Sequence, residues 1–329
     1  MADLADHLFV ALVLPLTHDF RIDEPGLRRL VRHYAENKKF AAVGGLVANP
    51  EAGEIFYLSQ DEKRRALDIV MEEASGKMPI LAGTFGWTTH DVVQTAKDAK
   101  AAGVDGIFCI PPAGAMDITT SWDAEKYPEV WLDQIKEQDR AVDLPIFTHP
   151  VAASTAAYGI GLPKEPTLQI CREVPNVVGW KMTYSYGGHR LISRALRSQA
   201  PRVAIMGAAA HYFHENLATG DFRGTISGSW NYALNPMLSH IEAWRRKDID
   251  AANQIWNGGL VQLHEYIYSE WGRLHIRYKI AAWLCGLVDS PLMRPPMPKP
   301  RKIEVDTIAK LLKEAGIETI SKPDPEMAA

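Results

Sequence analysis

The sequence predicts an α/β fold, a (β/α)8 TIM barrel with additional C-terminal helices. Apolar segments of strand length alternate with amphipathic helical segments between residues 8 and 228. About eight such units occur, the number that closes a barrel, whereas open doubly wound sheets usually stop at five or six strands. We therefore assign residues 1–233 to the barrel and residues 234–329 to a helical extension packed on it.

The composition is that of a chain with a large apolar core. Of the 329 residues, 47% are hydrophobic and 23% are charged, without the bias that marks disordered chains. The formal net charge of −4 at pH 7 gives no basic surface, so neither nucleic acid nor a membrane is expected as a partner. Cys109, Cys171 and Cys285 lie far apart in apolar segments, which is typical of core residues and not of a disulfide framework.

The N-terminal segment is predicted to be the first strand and not a signal peptide. Two aspartates precede its apolar run, and neither a basic region nor a small-residue cleavage site frames it. No apolar run reaches the roughly 18 residues that a membrane-spanning helix needs. We therefore expect a cytoplasmic protein.

The predicted strands are short apolar runs of the kind that parallel sheets bury on both faces. Several begin or end at proline or glycine, as in PILAGTF and LPIFTHP. The strands are predicted at residues 8–15, 41–47, 79–85, 105–111, 144–150, 176–183, 203–207 and 224–228.

The helices between these strands are predicted from apolar residues at helical spacing and from start signals. Ser59 and Glu62 have the spacing of a capping box, and Gly103 marks a helix end. The helices are predicted at residues 23–37, from 59 onward, 88–103, 122–139, 164–173 and around 211–218. Beyond the eighth strand, helices are predicted within residues 235–287 and 303–315, joined by the proline-rich segment 293–302.

Lys181 ends the sixth predicted strand, NVVGWKMT. The carboxyl ends of the strands carry the chemistry in α/β barrels, and a lysine amine can form a Schiff base with a carbonyl substrate. A lysine at a strand end can also extend into solvent without any chemical role. From this segment alone both interpretations stay open.

Five motifs follow one another along the chain: LVLPLTHDFRIDEPGLRRLV, EAGEIFYLSQDEKR, PNVVGWK, GTISGSWN and KIAAWLCGLVDSPLMRPP. In sequence and in order they resemble the family that contains dihydrodipicolinate synthase and N-acetylneuraminate lyase, the class I aldolases that form a Schiff base. The resemblance extends over about residues 8–315.

The resemblance implies a divergent member of this family that acts on a small carbonyl compound, of the 2-oxo acid type. Lys181 would be the nucleophile that forms the imine, no metal or organic cofactor would be needed, and the chain would form a homotetramer or homodimer. The protonated imine is an electron sink that stabilises a carbanion on the neighbouring carbon. Because a free lysine amine is protonated at neutral pH, the barrel mouth must lower its pKa by burial.

The resemblance also assigns residues to the substrate pocket. The backbone carbonyl of Ile226 matches the family position that lines the imine pocket, and Gly207 is expected to shape it. Where the family has two threonines that hold the substrate carboxylate, this chain has Glu51 and Ala52. Ala52 has no hydroxyl and Glu51 would repel an anion, which leaves the backbone N–H groups of Ala52 and Gly53 as donors.

The proton-shuttling tyrosine of the family's Y-N-x-P motif corresponds to Phe147, which cannot transfer a proton. His149, two residues later, titrates near neutral pH and is the candidate general acid or base; the alternative is a loop histidine near the barrel mouth. A water near Thr148 is a third candidate for moving the proton. Residues 150–162 form a longer loop than is usual in the family, which favours a larger or less charged substrate.

Two further departures from the family motifs argue against dihydrodipicolinate synthase activity itself. The family's P-Y-Y segment is Pro111-Pro112-Ala113 here, and the arginine that follows Y-N-x-P in the synthase is absent.

Two other classes of function remain as alternatives. A metal-dependent hydrolase or aldolase would use His211 and His214 with Glu215 beside them, and a third ligand from His149 or Glu51. A non-catalytic barrel of the same family would bind a small molecule for sensing.

Overall fold

The computed structural model describes residues 3–112 and 120–320, and it contains a closed barrel of eight parallel strands. The predicted (β/α)8 barrel is therefore confirmed. The barrel strands are β1 (Leu8–Ala11), β2 (Gly44–Ala48), β3 (Ile80–Thr84), β4 (Gly106–Cys109), β5 (Ile146–Thr148), β8 (Val177–Met182), β9 (Ala204–Gly207) and β10 (Gly224–Ser227). Two more strands, β6 (Val151–Thr155) and β7 (Gly159–Gly161), form a separate antiparallel hairpin between β5 and β8.

The barrel closes because β1 pairs with both β2 and β10, so that Leu8 lies opposite Gly44 on one side and Thr225 on the other. Alternate strand residues point inward and form a core of their own, which fills the barrel interior below its mouth. This inner core includes Phe9, Val47, Leu81, Phe108, Phe147, Met206 and Ile226. The other strand residues pack against the surrounding helices.

The predicted helices occur in the predicted order, but the helix between the sixth and seventh barrel strands, residues 186–199, is not among those predicted. The capping box at Ser59 and Glu62 is present, and Gly103 ends its helix in the left-handed conformation, with φ of 84°. The helices are α1 (Glu24–Ala35), α2 (Lys38–Ala41), α3 (Gln60–Ala74), α4 (Thr89–Ala102), α5 (Glu129–Val142), α6 (Lys164–Glu173), α7 (Tyr186–Gln199), α8 (Phe213–Ala218), α9 (Trp230–Arg245), α10 (Ile249–Ile255), α11 (Val261–Tyr268), α12 (Leu274–Leu284) and α13 (Lys302–Glu314).

One helix begins later than predicted, and the expected domain boundary falls within a helix. The helix expected from residue 122 begins only at Glu129, because the Asp123 carboxylate accepts backbone N–H groups in a turn that precedes it. The expected boundary between residues 233 and 234 falls inside α9, where Ala233 has non-helical backbone angles. The division of the chain at that point stays a prediction. No helix in the described part of the chain is both long and apolar enough to cross a membrane.

A buried ion pair attaches the C-terminal helices to the barrel mouth. The Lys279 Nζ on α12 donates to Oε1 of Glu54, after β2, at 2.7 Å, and the backbone N–H of Arg294 donates to the other carboxylate oxygen at 2.7 Å. Both ion-pair side chains are only 1% exposed. The Arg294 guanidinium also donates to the Glu62 carboxylate. These contacts give Glu54 a structural role and hold α12 across the mouth.

We expect Lys279→Met to destabilise the fold by about 3–5 kcal/mol, because it leaves the Glu54 carboxylate buried without its countercharge. Urea unfolding followed by circular dichroism measures this change. The exposed Lys310→Met variant is the control and should be neutral. The double variant Glu54→Gln, Lys279→Met removes both charges and should recover most of the loss; a double variant as unstable as Lys279→Met alone would contradict the ion-pair explanation.

Candidate active site

A cavity of about 140 Å³ lies at the carboxyl ends of the barrel strands. Its walls come from the ends of β1, β8 and β10, from the segments that follow β2, β5 and β9, and from the hairpin strand β7. The segment from Tyr268 to Tyr278, which runs from the end of α11 into α12, forms the remaining wall. The cavity is therefore formed jointly by the barrel and by the helices that follow it.

Lys181 reaches this cavity from β8. Strand alternation puts Lys181 on the same side as Gly179, which faces the barrel interior. A Cβ at Gly179 would lie 2.2 Å from the Phe147 ring, so glycine is required for this packing. The Nζ of Lys181 lies 5.6 Å from the centre of the Phe108 ring. Burial lowers the pKa of Lys181 to about 8, against the opposing effect of the Glu51 charge.

His149 follows β5 and stacks on Phe108, with 5.6 Å between the ring centres. Its Nε2 lies 3.1 Å from the Lys181 Nζ and its Nδ1 lies 3.2 Å from the Glu51 Oε2. Because the same amine also lies 3.5 Å from Nδ1, it approaches the face of the imidazole and not the lone pair of Nε2, and the Glu51 carboxylate lies close to Nδ1 on the other side. Burial, together with the Lys181 charge, lowers the His149 pKa to about 3, so the ring is neutral at neutral pH.

Glu51 begins a short 3-10 turn after β2, and its side chain is 29% exposed. Its Oε2 also lies 3.9 Å from Nε2 of His275 on α12. Burial raises the Glu51 pKa, but His149, His275 and Lys181 outweigh that effect and hold the pKa below its usual value. The carboxylate is therefore ionised. Lys181, His149 and Glu51 therefore lie in close succession, and His275 adds an ionisable group 3.9 Å beyond the carboxylate.

Hydroxyl groups form a second part of the cavity wall. The Tyr278 hydroxyl donates to the Tyr268 oxygen at 2.6 Å, and the Tyr268 hydroxyl donates to the Ala208 carbonyl at 3.0 Å. The Ser227 hydroxyl donates to the same carbonyl at 2.9 Å. The Thr183 hydroxyl, in contrast, is buried at the cavity and has no hydrogen-bond partner in the described part of the chain.

The sequence analysis missed several of these residues. Thr183 could have been found, because it lies two residues beyond Lys181 in an extended segment. His275 lies four residues before Lys279, and therefore on the same face of α12, so it could have been found once α12 was known to dock on the mouth. Tyr268 and Tyr278 carry no comparable signal in the sequence.

The structure brings four of the predicted site residues to the cavity: Lys181, His149, Glu51 and Ala52. Gly53 is close in sequence but its N–H donates to the Pro50 carbonyl at 3.0 Å, so it is not a free donor. The prediction for that backbone group is therefore wrong.

The other three predicted residues do not line the cavity. Thr148 is fully buried on the side of β5 away from it, and its hydroxyl donates to the Gly179 carbonyl at 3.4 Å. A Cβ at Gly207 would meet the Phe222 ring, so that position faces the outer helices. Strand alternation explains the positions of Thr148 and Gly207. Ile226 packs its side chain in the barrel interior, and Ser227 and Gly228 border the cavity. The role expected for the backbone carbonyl of Ile226 stays a prediction.

The proposed metal ligands do not converge. His214 hydrogen-bonds to His240 at 2.9 Å, whereas His211 packs against the Tyr268 ring. Within residues 3–112 and 120–320, no group of three histidine, cysteine, aspartate or glutamate side chains is arranged to hold a metal ion. The metal-dependent alternative therefore lacks a ligand set there. Ala113, which the sequence analysis placed where the family has a tyrosine, lies outside the described residues.

The chain is similar in sequence to curated enzymes along almost its whole length. The 4-hydroxy-tetrahydrodipicolinate synthase of Methanopyrus kandleri is 28% identical over 314 residues, which cover 93% of this chain and 95% of that relative.

Two solved structures are similar in fold. That of YagE, a prophage protein of Escherichia coli K12 in complex with pyruvate, has a TM-score of 0.79 at 20% identity, covering 94% of this chain and 98% of that one. That of N-acetylneuraminate lyase from Fusobacterium nucleatum has a TM-score of 0.76 at 20% identity, covering 96% and 100%.

The family assignment rests on the match to a family model. The model of the dihydrodipicolinate synthetase family matches residues 5–114 and 143–315, which is most of the chain. Members of this family form a Schiff base with pyruvate-type substrates. The chain therefore belongs to the dihydrodipicolinate synthetase family, and it is an aldolase-type lyase.

Proposed function

We propose that this chain is a Schiff-base lyase, of the aldolase, dehydratase or hydratase type, that acts on a small 2-oxo acid through Lys181. The observation that carries the proposal is the buried Lys181 amine, 3.1 Å from a neutral imidazole whose other nitrogen faces a carboxylate. With a pKa of about 8, roughly a tenth of this amine is unprotonated at pH 7. That fraction is the nucleophile.

Imine formation requires proton transfers that His149 is positioned to make. The lone pair of the unprotonated Lys181 nitrogen attacks the carbonyl carbon, and the C=O electrons move to the oxygen. The nitrogen gives up one of its two protons and keeps the other, while the oxygen takes up two protons, one of them from solvent, and leaves as water. The product is the protonated imine. Nε2 of His149 accepts a proton from the nitrogen and returns it to the departing oxygen. The Glu51 carboxylate stabilises the transient imidazolium, as the acidic member of a triad does.

The same groups serve the next step. Loss of a proton, or of an aldehyde, from the carbon next to the protonated imine leaves an enamine, whose electrons are held by the imine nitrogen. His149 takes or returns that proton, because Phe147 has no ionisable group. Glu51 lies between His149 and His275, with its Oε2 3.2 Å from Nδ1 of His149 and 3.9 Å from Nε2 of His275.

The carboxylate of a 2-oxo acid needs hydrogen-bond donors away from the Glu51 charge. We assign the unpartnered Thr183 hydroxyl to this contact, because a buried hydroxyl without a partner gains most from a ligand that supplies one. The backbone N–H of Ala52 is the second donor in the proposal. Gly207 has no role in the proposal, since a side chain at that position would face Phe222, whereas the backbone carbonyl of Ile226 remains the proposed neighbour of the imine.

We propose a reaction other than that of dihydrodipicolinate synthase. Residues 150–162 contain no arginine to bind a second carboxylate, and the position of the proton-shuttling tyrosine is occupied by Phe147. The proposal includes assembly as a homotetramer or homodimer, as the family resemblance implies.

Reduction with sodium borohydride in the presence of pyruvate should attach the substrate irreversibly to Lys181, because the imine becomes a stable secondary amine. Intact-protein mass spectrometry and peptide mapping measure the adduct. Lys181→Met should abolish it, whereas Lys310→Met, at an exposed position, should leave it unchanged. The absence of an adduct with pyruvate and with a panel of other 2-oxo acids would refute the Schiff-base proposal.

The reactivity of Lys181 should rise with pH with a midpoint near 8, because burial lowers its pKa to about 8 and only the unprotonated amine reacts. Trace acetylation with acetic anhydride, mapped to the Lys181 peptide, measures this midpoint. Glu51→Gln should move the midpoint to lower pH, since the Glu51 charge favours the protonated amine. A midpoint that moves upward in this variant would show that Glu51 does not act on the lysine as described.

His149→Gln should slow proton transfer without removing the nucleophile. We expect the borohydride adduct on Lys181 to form more slowly but still to reach completion, while exchange of the pyruvate methyl protons in D2O falls by roughly 10²–10⁴-fold, the usual contribution of a general acid or base. Proton NMR of pyruvate measures the exchange rate. His90→Gln, on the exposed start of α4, is the matched control. Exchange at the original rate in His149→Gln would assign the proton transfer to another group.

A further inference from the structure

The cavity has one strongly apolar and aromatic part that the proposed chemistry on Lys181 does not use. Pro50, Ile160, Trp271 and Leu274 line it with apolar atoms. The Trp271 ring meets the Tyr268 ring edge to face, with 6.0 Å between the centres. Trp271 is 38% exposed, so this part of the wall extends to the opening of the cavity.

The hairpin that carries Ile160 is held firmly against the strand of Lys181. The Leu162 N–H donates to the Pro150 carbonyl at 2.8 Å, and the Ser185 N–H donates to the Tyr158 carbonyl at 3.1 Å. A Cβ at Gly161 would lie 2.1 Å from the Tyr184 ring, which shows how closely the two segments pack. Ile160 is thus presented to the cavity by a fixed element and is part of the site before any ligand binds.

No second cation accompanies this apolar wall. Lys181 is the only lysine or arginine that lines the cavity within residues 3–112 and 120–320. The segment 113–119, whose structure is not described, contains neither a lysine nor an arginine in its sequence. The ionised Glu51 adds a negative charge to the same cavity.

Arg273 and Arg277 are close in sequence to residues that line the cavity, but their side chains bind other groups. The Arg273 Nε donates to Oε1 of Glu304 at 2.9 Å, and the Arg277 Nε donates to the same oxygen at 3.1 Å. Arg277 donates in addition to the Tyr266 carbonyl at 2.7 Å. Both side chains are buried against α13, so neither is free to turn toward the cavity and bind an anion.

We propose that the aldehyde half of the substrate is apolar and uncharged, an aliphatic or aromatic aldehyde without a carboxylate or phosphate. This inference rests on the proposed Schiff-base function. In condensation, the enamine carbon forms a bond to the aldehyde carbon, the C=O electrons move to the aldehyde oxygen, and that oxygen takes up one proton; cleavage reverses each change. A carboxylate or phosphate on this half would be desolvated near Glu51 without a countercharge, which is strongly unfavourable.

Condensation of pyruvate with pairs of aldehydes of equal shape tests the proposal. The pairs are 4-methylpentanal against 4-oxobutanoate, and 4-isopropylbenzaldehyde against 4-carboxybenzaldehyde. In each pair the first aldehyde carries an isopropyl group where the second carries a carboxylate. We expect kcat/KM to be at least about 100-fold higher for an apolar member than for its charged partner, in one pair or both. Equal or higher values for the charged members, or no condensation with either apolar member, would overturn the proposal.

A variant that adds a cation provides a second test. Ile160→Lys should reduce the preference for the apolar aldehyde at least tenfold by improving kcat/KM for the charged partner, while Ile303→Lys, 68% exposed on α13, should not change it.

Trp271→Ala should raise KM for the apolar aldehyde, and an unchanged KM would count against the proposal. Borohydride trapping of pyruvate on Lys181 separates failure of this inference from failure of the Schiff-base proposal. If the adduct forms but the enzyme prefers charged aldehydes, only the inference about the aldehyde is refuted. If no adduct forms, the Schiff-base function itself is refuted.

Discussion

The buried ion pair between Glu54 and Lys279 is the interaction on which the candidate site depends. It joins two residues 225 positions apart in the chain, one after β2 and one on α12. Because neither charge tolerates burial alone, α12 is held at the barrel mouth. His275 and Tyr278 lie within one helical turn of Lys279, so the same ion pair brings an imidazole and a phenol into the cavity. Without it, the cavity would lack one wall.

The imidazole beside Lys181 comes from a position two residues after Phe147. Phe147 and His149 lie on the same side of their extended segment, and Phe147 fills the barrel interior one layer below the cavity. His149 thus stands at the level of the lysine, which is the geometry that the proposed proton transfer requires. Glu51 stands where the family has a threonine, and it supplies the carboxylate that orients this imidazole.

The hairpin of β6 and β7 adds a wall to the cavity at the barrel mouth. Its backbone is attached to the segment that follows Lys181, and it contributes Ile160 but no charged residue to the cavity. The pairing of Arg273 and Arg277 with Glu304 keeps two nearby cations away from the cavity. The lysine and the apolar wall therefore come from different elements of the fold.

The sequence by itself determined the barrel, the order of its strands and helices, the family and the placement of Lys181 at a strand end, because these follow from local periodicity and from motifs in order. Only the tertiary structure decided that Glu51, His149 and His275 meet beside that lysine, since they come from distant segments whose distance is set by barrel register and by the docking of α12. Local sequence also left open which face each strand-end residue takes. For that reason Gly207 and Thr148 were expected at the cavity and lie outside it, whereas Thr183 was missed.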